Sequence, residues 1–546
     1  MRWALVVVAV FASACVRRVP HADRPIVFVA KAVRTLDPAR PIAEAIAWRH
    51  GTVLAVGSKR EVLAAAGADA VVEEFPSSTI VPGLVDSHAH LAALGRSLSI
   101  VSLREVTSEA DAVARVRAAP ASAYQGDWLM GRGWDQNDWA GQQFPTRASL
   151  DAAFPKTPVF LTRIDGHAAW VNSAALARAG ITAATVDPSG GRILRDAKGE
   201  PTGVLIDNAM ELVAAKMPAP TTQEVQQRLK LALETCARLG LTQVHDAGMD
   251  QQTFRVLQSW DMLGVLPVRL YVMADGQGAE ADDWLGHGLF AGRRLELKAV
   301  KLLVDGALGS RGAALHAPYA DEPSTKGLLL LEPAVFEEKA KRFAERGFQV
   351  AVHAIGDRAN TLALDVLSQL DPKLRHRVEH AQVLTAADVE RFARSGIIAS
   401  FQPTHATSDM PWAPTRLGPE RTRFAYAWRS VLSSGAHVTF GSDFPIEDPN
   451  PLLGLYAART RQDASGAPPQ GWMPEQVLSG EEALAGFTTG AAWAGFAEAR
   501  RGLLKEGFDA DLVVLPVDPV ADPPKALLDA KVQVTVVDGV DVYRAP

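Results

Sequence analysis

Two histidines one residue apart are the first residues in this sequence that could do chemistry together. Residues 85–91 read VDSHAHL, so His88 and His90 lie at the end of an apolar run. If that run is a strand, successive side chains alternate between its faces and both imidazoles point the same way. Such a pair could hold one metal ion, although histidines at strand ends and in protein cores are also common. The rest of the chain has to distinguish these interpretations.

Other polar residues recur at the ends of short apolar runs further along the chain. Counted together, eight candidate strands end near His88, His245, Ala274, Asp305, His353, His380, Gln402 and Asp443. Several follow a helix and a stopping glycine, as in EPAVFEEKAKRFAERG before FQVAVHA, and TAADVERFARSG before IIASFQP. This alternation predicts parallel strands joined by right-handed crossovers, in a barrel or a doubly wound sheet. Eight strands favour a closed barrel, in which the strand ends share one rim where active sites are built.

The whole chain is therefore predicted to be an α/β protein built on a (β/α)8 TIM-type barrel, residues 83–495. More than a hundred residues separate the first strand from a helix near 221, and this segment, about 96–220, is predicted to be an inserted subdomain covering the rim. Strand-like segments flank the barrel at 26–82 and 496–546. Neither flank alone supplies two packed sheets, so both chain ends are expected to build one small β-sandwich.

The amino end has the layout of an export signal. MRWALVVVAVFASAC contains one basic residue, a short apolar core and then small residues, and it is too short to span a bilayer stably. Residues 1–14 are predicted to be a signal peptide and 15–25 a linker. ASAC resembles a lipobox with Cys15 as the lipidated residue, although Ala12 and Ala14 also satisfy an ordinary signal peptidase. We expect an exported protein of the periplasm or cell envelope, anchored to the membrane by a lipid on Cys15.

Composition excludes several other classes of protein. With 546 residues, 48% hydrophobic and 22% charged, the chain is predicted to be globular. Its net charge of −6 and the lack of a basic run argue against a nucleic-acid partner. The other cysteine, Cys236, lies on the apolar stripe of the predicted helix in TTQEVQQRLKLALETCARLG and is expected in the core.

Several motifs together give a specific resemblance. These motifs are PGLVDSHAHL, GRGWDQNDW, RIDGHAAWVNSAAL, VKLLVDGALGSRGAAL, VAVHAIGDRAN, HRVEHAQ, FQPTHATSD and FGSDFPIEDPNP. Together they resemble the amidohydrolase 3 (YtcJ-like) family of the amidohydrolase superfamily, and the resemblance extends from about residue 26 to the end. The resemblance implies a zinc site of one or two ions, with ligands His88, His90, His353, His380 and Asp443. Lys301 matches a lysine that is carboxylated and bridges two metals in many relatives. A lysine reaching out from a strand end is the alternative for Lys301, and His245 stays outside the ligand set.

The same resemblance implies substrate-facing residues and an activity. The substrate-facing residues are Trp134, His167, Arg311, Gln402 and His405, with Asp443 as the catalytic residue. The implied reaction is hydrolysis of a non-peptide C–N bond, in an amide or formamide of a small-molecule substrate, with metal-activated water. A lactonase or esterase on the same site is one alternative, and a lipid-anchored binding protein without catalysis is another. A homo-oligomer is compatible with the sequence, which leaves the oligomeric state and the substrate open.

Overall fold

Residues 23–163, 168–188 and 191–546 are described by a computed structural model. The signal peptide predicted at 1–14, Cys15 and His167 lie outside these residues. In chain order the first elements are β1 (Ile26–Arg34), β2 (Ile42–Arg49), β3 (Thr52–Gly57), α1 (Lys59–Ala66), β4 (Val71–Pro82) and β5 (Leu84–Ala89). None of the helices in the described part of the chain is long and apolar enough to cross a membrane.

The predicted insertion falls within a compact unit, Leu91–Ala232. Its helices are α2 (Leu91–Ser99), α3 (Glu109–Arg117), α4 (Arg147–Ala153), α5 (Ser173–Ala179), α6 (Glu211–Ala214) and the first part of α7 (Thr222–Arg238). Its strands are β6 (Val101–Ser102), β7 (Tyr124–Gln125), β8 (Trp128–Trp134), β9 (Val159–Arg163), β10 (Ala168–Val171), β11 (Gly191–Arg195) and β12 (Pro201–Asp207). They form one sheet in the order β11-β12-β10-β9-β8-β6, with β7 paired to β8.

Trp134 lies in the core of this unit. Its ring is fully buried in an aromatic cluster with Trp139 and Trp170, and its indole Nε1 donates to the carbonyl of Leu161 at 2.8 Å. Burial and a satisfied donor explain this tryptophan as a packing residue. The substrate-facing role expected for Trp134 does not agree with this geometry.

The other unit contains the barrel. Its remaining strands are β13 (Leu241–Met249), β14 (Arg269–Asp275), β16 (Leu295–Leu303), β17 (Gln349–Ala354), β18 (Arg377–His380), β19 (Ile398–Phe401) and β20 (Val438–Phe440), with a short β15 (Phe290–Ala291) beside β16. The helices are α8 (Gln251–Met262), α9 (Ala281–His287), α10 (Pro333–Glu345), α11 (Asp357–Leu367), α12 (Ala386–Ser395), α13 (Pro403–Asp409), α14 (Ala413–Thr422), α15 (Trp428–Ser433), α16 (Pro451–Thr460), α17 (Gly480–Gly486) and α18 (Thr489–Ala494).

The eight strands run parallel in the order β20-β19-β18-β17-β16-β14-β13-β5. Two backbone hydrogen bonds join the ends of β20 and β5, from Asp443 N to His88 O at 2.7 Å and from His90 N to Phe444 O at 2.9 Å. Gly441 permits this approach, because a Cβ there would lie 2.5 Å from the backbone nitrogen of His88. The predicted TIM-type barrel is therefore confirmed.

Both chain ends contribute to a second sheet of the same unit. The last elements, β21 (Leu512–Leu515), α19 (Ala526–Asp529), β22 (Val534–Val537) and β23 (Val540–Arg544), extend the first four strands into the order β23-β22-β21-β4-β1-β2-β3. The antiparallel pair β4–β21 joins the two flanks into one hydrogen-bonded sheet. Residues from both flanks share one apolar core, in which Phe28 and Trp48 pack with Leu512 and Val536.

Candidate metal centre

Four barrel strands deliver histidines and a carboxylate to one place. His88 and His90 come from the end of β5, His353 from β17, His380 from the last position of β18, and Asp443 from three residues beyond β20. The ring centroid of His380 lies 4.8 Å from that of His88 and 4.5 Å from that of His353. The rings of His88 and His90 are 5.6 Å apart, as the period of two predicts for one strand face. Residues far apart in sequence thus meet at one end of the barrel.

A buried carboxylate fixes the orientation of His88. The Nδ1 atom of His88 lies 2.5 Å from Glu379 Oε2, and both side chains are fully buried. Since an ionised carboxylate only accepts hydrogen bonds, His88 donates from Nδ1 and its Nε2 carries the lone pair. Arg377 in turn donates to Glu379 Oε2 at 3.1 Å. This chain of partners gives His88 the tautomer that a metal ligand needs.

His380 is oriented in a similar way by Gln402. His380 has a left-handed backbone with φ of 73°, and its Nδ1 lies 2.8 Å from Gln402 Oε1. The amide nitrogen of Gln402 donates to Ser400 O at 3.3 Å, which leaves Oε1 as the acceptor for His380. The lone pair of His380 is therefore on Nε2. Gln402 is buried and supports a histidine, which differs from the substrate-facing position expected for it.

Asp443 has two oxygen atoms in different surroundings. Oδ2 lies 3.2 Å from His405 Nε2, whereas Oδ1 lies 3.0 Å from His90 Nε2 and 3.6 Å from His88 Nε2. The contact between His90 and Oδ1 is close but lacks hydrogen-bond geometry, so within the described part of the chain Oδ1 is buried without a donor. His353 Nε2 is also buried without a hydrogen-bond partner among the described residues. Such atoms are costly to bury unless something binds them.

These distances suit a metal ion. Tetrahedral zinc with bonds of about 2.1 Å keeps neighbouring ligand atoms about 3.4 Å apart. The two histidine contacts of Asp443 Oδ1, 3.0 and 3.6 Å, bracket that separation. His88, His90 and Asp443 form one candidate metal group, and His380, His405 and Asp443 form another. The residues present therefore fit the metal that the sequence predicted.

Burial keeps three histidines of the cluster neutral, namely His88, His353 and His380, whereas Asp443 raises the pKa of His90 against the effect of burial. Burial lowers the pKa of His88 to about 4 and that of His353 to about 3, and the nearby Lys301 charge lowers both further. Burial also holds the pKa of His380 well below its ordinary value, helped by His353 and His88. Burial alone would raise the pKa of Asp443, but the hydrogen bond from His405 and the close contact with His90 keep it well below its usual range. Neutral imidazoles beside an ionised carboxylate are the protonation states that metal binding requires.

Lys301 extends from β16 into the same cluster. Its side chain is buried, and Nζ lies 3.1 Å from His88 Nε2. Burial lowers the pKa of Lys301 to about 8, against the opposing effect of the Glu379 and Asp443 charges. The position agrees with a role in the cluster, and its carboxylation stays a prediction.

His245 is oriented towards other partners. Its Nδ1 accepts from Arg377 Nη1 at 3.0 Å, and its ring packs on Tyr271 with centroids 4.7 Å apart. A Cβ on Gly495 would lie 3.2 Å from His245 Nε2, so that nitrogen faces the segment after α18. These contacts explain His245 by packing, in keeping with its exclusion from the predicted ligands.

Arg311 and His405 differ in how they fit the substrate-facing role. The guanidinium of Arg311 is paired with Asp321 through Nε at 3.2 Å and Nη2 at 2.9 Å, and Arg416 binds the same carboxylate. The guanidinium of Arg311 is thus directed to Asp321, and its substrate-facing role stays a prediction. His405, by contrast, lies beside Asp443. Burial alone would lower the pKa of His405, but hydrogen bonds to Asp443 and Glu447 raise this pKa to about 10.

Three residues of the site were not among the sequence-predicted ones. Arg377 and Glu379 precede His380 in HRVEH, and Glu447 follows Asp443 in SDFPIED. Charged residues within a strand that is otherwise buried are a usable signal for Arg377 and Glu379, because such charges need partners. Glu447 lies in a loop, where an acidic residue gives no comparable signal.

Comparison with known proteins identifies the family of this chain. The model of the Amidohydrolase family matches residues 78–543. The chain belongs to the amidohydrolase family. The chain is 35% identical to the putative amidohydrolase YtcJ of Bacillus subtilis (strain 168), over 92% of this chain and 96% of that protein.

Two further relatives cover nearly all of this amidohydrolase. The N-substituted formamide deformylase of Arthrobacter pascens is 28% identical over 95% of this chain and 98% of its own length. Among solved structures, an uncharacterized metal-dependent hydrolase from Pyrococcus horikoshii OT3 superposes with a TM-score of 0.78 at 27% identity. That match covers 92% of this chain and 99% of the solved one. The resemblance inferred from the motifs is confirmed at the level of the family.

Proposed function

We propose that this amidohydrolase is a zinc-dependent hydrolase that cleaves a non-peptide C–N bond in a small amide or formamide. The observation that carries the proposal is the cluster itself, in which His88, His353 and His380 are neutral and Asp443 Oδ1 has no donor within the described chain. The similarity to a formamide deformylase and to a metal-dependent hydrolase supports the same reaction class.

The residues of the cluster divide into metal-holding and proton-moving groups. We assign the metal-holding role to His88, His90, His353, His380 and Asp443, with Lys301 as the bridge if two ions are present. The metal would act as a Lewis acid and make water more acidic. Asp443 Oδ1 would then accept a proton from the attacking water and deliver it to the leaving nitrogen, because an amine leaves poorly unless protonated.

The proposal is tested with three substrates that share one amine or alcohol skeleton. Purified enzyme is stripped of metal, reloaded with zinc, and assayed on an N-substituted formamide, the matching N-acetyl amide and a matching ester or lactone. We expect zinc-dependent hydrolysis of an amide-type bond with kcat/KM higher than for the ester. His88→Ala, which removes one ligand, should lose both bound zinc and activity.

The outcomes separate the alternatives. Preference for the lactone or ester would replace the amidohydrolase assignment with the esterase one. Full zinc occupancy without turnover of any of the three would favour a binding protein. Undiminished zinc content in His88→Ala, measured by elemental analysis, would remove His88 from the ligand set.

We further propose that the protein is exported and held at the membrane by a lipid on Cys15. Support comes from the amino-terminal sequence alone, a basic residue, an apolar core and small residues before Cys15. Cys15→Ser should move the protein from the membrane fraction to the soluble periplasm. Wild-type protein already found in the soluble fraction would instead support ordinary signal-peptide cleavage.

A further inference from the structure

His405 lies between two carboxylates. Its Nε2 is 3.2 Å from Asp443 Oδ2, and its Nδ1 is 3.2 Å from Glu447 Oε1. His405 belongs to α13, which follows β19, whereas both acids belong to the segment after β20. The three side chains are largely buried, with 12%, 10% and 19% of the side-chain surface of His405, Asp443 and Glu447 exposed. The arrangement thus ties two neighbouring parts of the barrel rim together.

The hydrogen-bond directions in this trio are fixed by chemistry. Ionised carboxylate oxygens only accept, so both ring nitrogens of His405 donate. Both ring nitrogens of His405 are thus engaged by carboxylates, although His405 also forms a candidate metal group with His380 and Asp443.

The hydrogen bond with His405 fixes the plane of the Asp443 carboxylate. The backbone of Asp443 is set by a left-handed φ of 60° and by the hydrogen bond from its nitrogen to His88 O at 2.7 Å. The backbone alone leaves the terminal torsion of an aspartate free to rotate, since that torsion is broad. The bond from His405 to Oδ2 stops this rotation and leaves Oδ1 beside His90 and His88.

We infer that Glu447 and His405 form a positioning pair, which holds Asp443 with Oδ2 engaged and Oδ1 directed to the metal and the attacking water. Glu447 acts through His405, which it orients by accepting the hydrogen bond from Nδ1. The inference rests on the proposed function for the role of Asp443. It assigns Glu447, a residue outside the predicted site, to the support of the reaction.

The experiment combines kinetics with a structural readout. Glu447→Ala and Glu447→Gln are compared with the wild type and with Asp448→Asn, which removes a charge from the adjacent exposed residue but leaves an acceptor for Asn450 N. We expect Glu447→Ala to lower kcat by about 10- to 100-fold, the cost of a misplaced catalytic group, with KM within twofold and zinc content unchanged. Glu447→Gln should recover most of that loss, because its amide oxygen still accepts from Nδ1. Asp448→Asn should behave as wild type.

A double-mutant cycle tests whether Glu447 acts through His405. If it does, His405→Ala combined with Glu447→Ala should lose no more kcat than His405→Ala alone. Multiplicative losses, or Glu447→Ala with wild-type kcat, would overturn the inference. Loss of most of the zinc from Glu447→Ala would also overturn it, because the fall in kcat would then follow from the missing metal and not from a misplaced carboxylate.

The structural readout does not depend on knowing the substrate. Crystal structures of zinc-loaded wild type and Glu447→Ala should show the Asp443 carboxylate rotated in the variant and Oδ2 no longer bonded to residue 405. An unchanged carboxylate would refute the positioning role. If the carboxylate rotates but neither protein hydrolyses any test substrate, the positioning stands and the proposed function fails.

Discussion

Three side chains at the centre, His88, His380 and Asp443, each use one atom for support and offer another to the metal. His88 and His380 donate from Nδ1 to Glu379 and Gln402, and Asp443 engages His405 through Oδ2. In all three the remaining atom, Nε2 or Oδ1, is directed to the cluster. This division matters at the residue scale because a ligand side chain with both ends free would lose conformational entropy on binding the metal.

Substitution of Asp443 by asparagine should separate proton transfer from metal binding. The amide of Asp443→Asn keeps the size of the side chain but cannot take up a proton at neutral pH. We expect kcat to fall by about 100-fold or more while the histidines retain most of the zinc. Steady-state kinetics and elemental analysis of the same preparation check this. If Asp443 were only a turn residue, the variant would instead melt earlier and turn over near the wild-type rate.

Lys301 offers a second test among the residues. If its amine is carboxylated and bridges two ions, Lys301→Ala should bind less metal than the wild type and recover part of it with added short carboxylic acids. A high-resolution electron-density map of the wild type should show additional atoms beyond Nζ. An unmodified amine in fully active enzyme would exclude the bridge. Lys301→Arg, which keeps a charge but cannot be carboxylated, is the matched control.

The residues that meet in the cluster could be predicted from the sequence, but most of their supporting partners could not. Strand ends are readable from hydrophobic runs, so His88, His353 and Asp443 are predictable together with the family resemblance. Arg311 shows the limit, since its type suits a substrate carboxylate while its actual partner is Asp321, ten residues further along the loop. Such pairings depend on loop conformation, which hydrophobic periodicity does not encode.

Strand β18 carries three residues of the site, Arg377, Glu379 and His380. Arg377 and Glu379, two residues apart, share its inner face, and both are fully buried. Strict alternation would turn the next residue, His380, to the opposite face. The left-handed φ at His380 ends the strand and brings its ring to the cluster instead. The alternation of side chains along a strand can be predicted from the sequence. The left-handed backbone at His380 cannot, because no glycine marks that position.

Arg377→Leu should destabilise the barrel through this strand. It removes the cation that faces buried Glu379, leaving that carboxylate with His88 as its remaining close partner. Breaking a buried pair costs about 3–5 kcal/mol of unfolding free energy. A lower urea midpoint for the metal-free protein measures the loss. Arg394→Leu, in which an arginine pair with Glu390 is 76% and 64% exposed, should change stability by less than about 1 kcal/mol.

At the scale of the whole molecule, a buried charge pair helps to join the carboxyl-terminal flank to the barrel. Arg269 begins β14 and donates to Asp511, just before β21, at 2.8 and 3.2 Å. Asp511 also accepts from the backbone nitrogen of Asp538 at 2.7 Å. The sequence predicted that the two flanks pair with each other, because neither flank alone supplies two packed sheets. The contact that links the carboxyl-terminal flank to a particular barrel strand joins residues 242 positions apart and was not predictable.

Asp511→Asn should weaken the molecule in a way that depends on pH. Burial raises the pKa of Asp511, but Arg269 outweighs it and the folded pKa lies below the ordinary value. A group with a depressed folded pKa contributes stability above its unfolded pKa of about 3.9, and this contribution is lost as the pH falls towards the folded pKa.

At pH 7 we expect the variant to lose about 3 kcal/mol of unfolding free energy, the lower end for a broken buried pair, because Asp509 still lies 3.4 Å from Arg269. Urea midpoints of wild type and variant should therefore converge below about pH 4. Since Asp511 lies outside the metal cluster, kcat of the folded variant at pH 7 should equal that of the wild type, and a constant gap in urea midpoint at every pH would contradict the assignment.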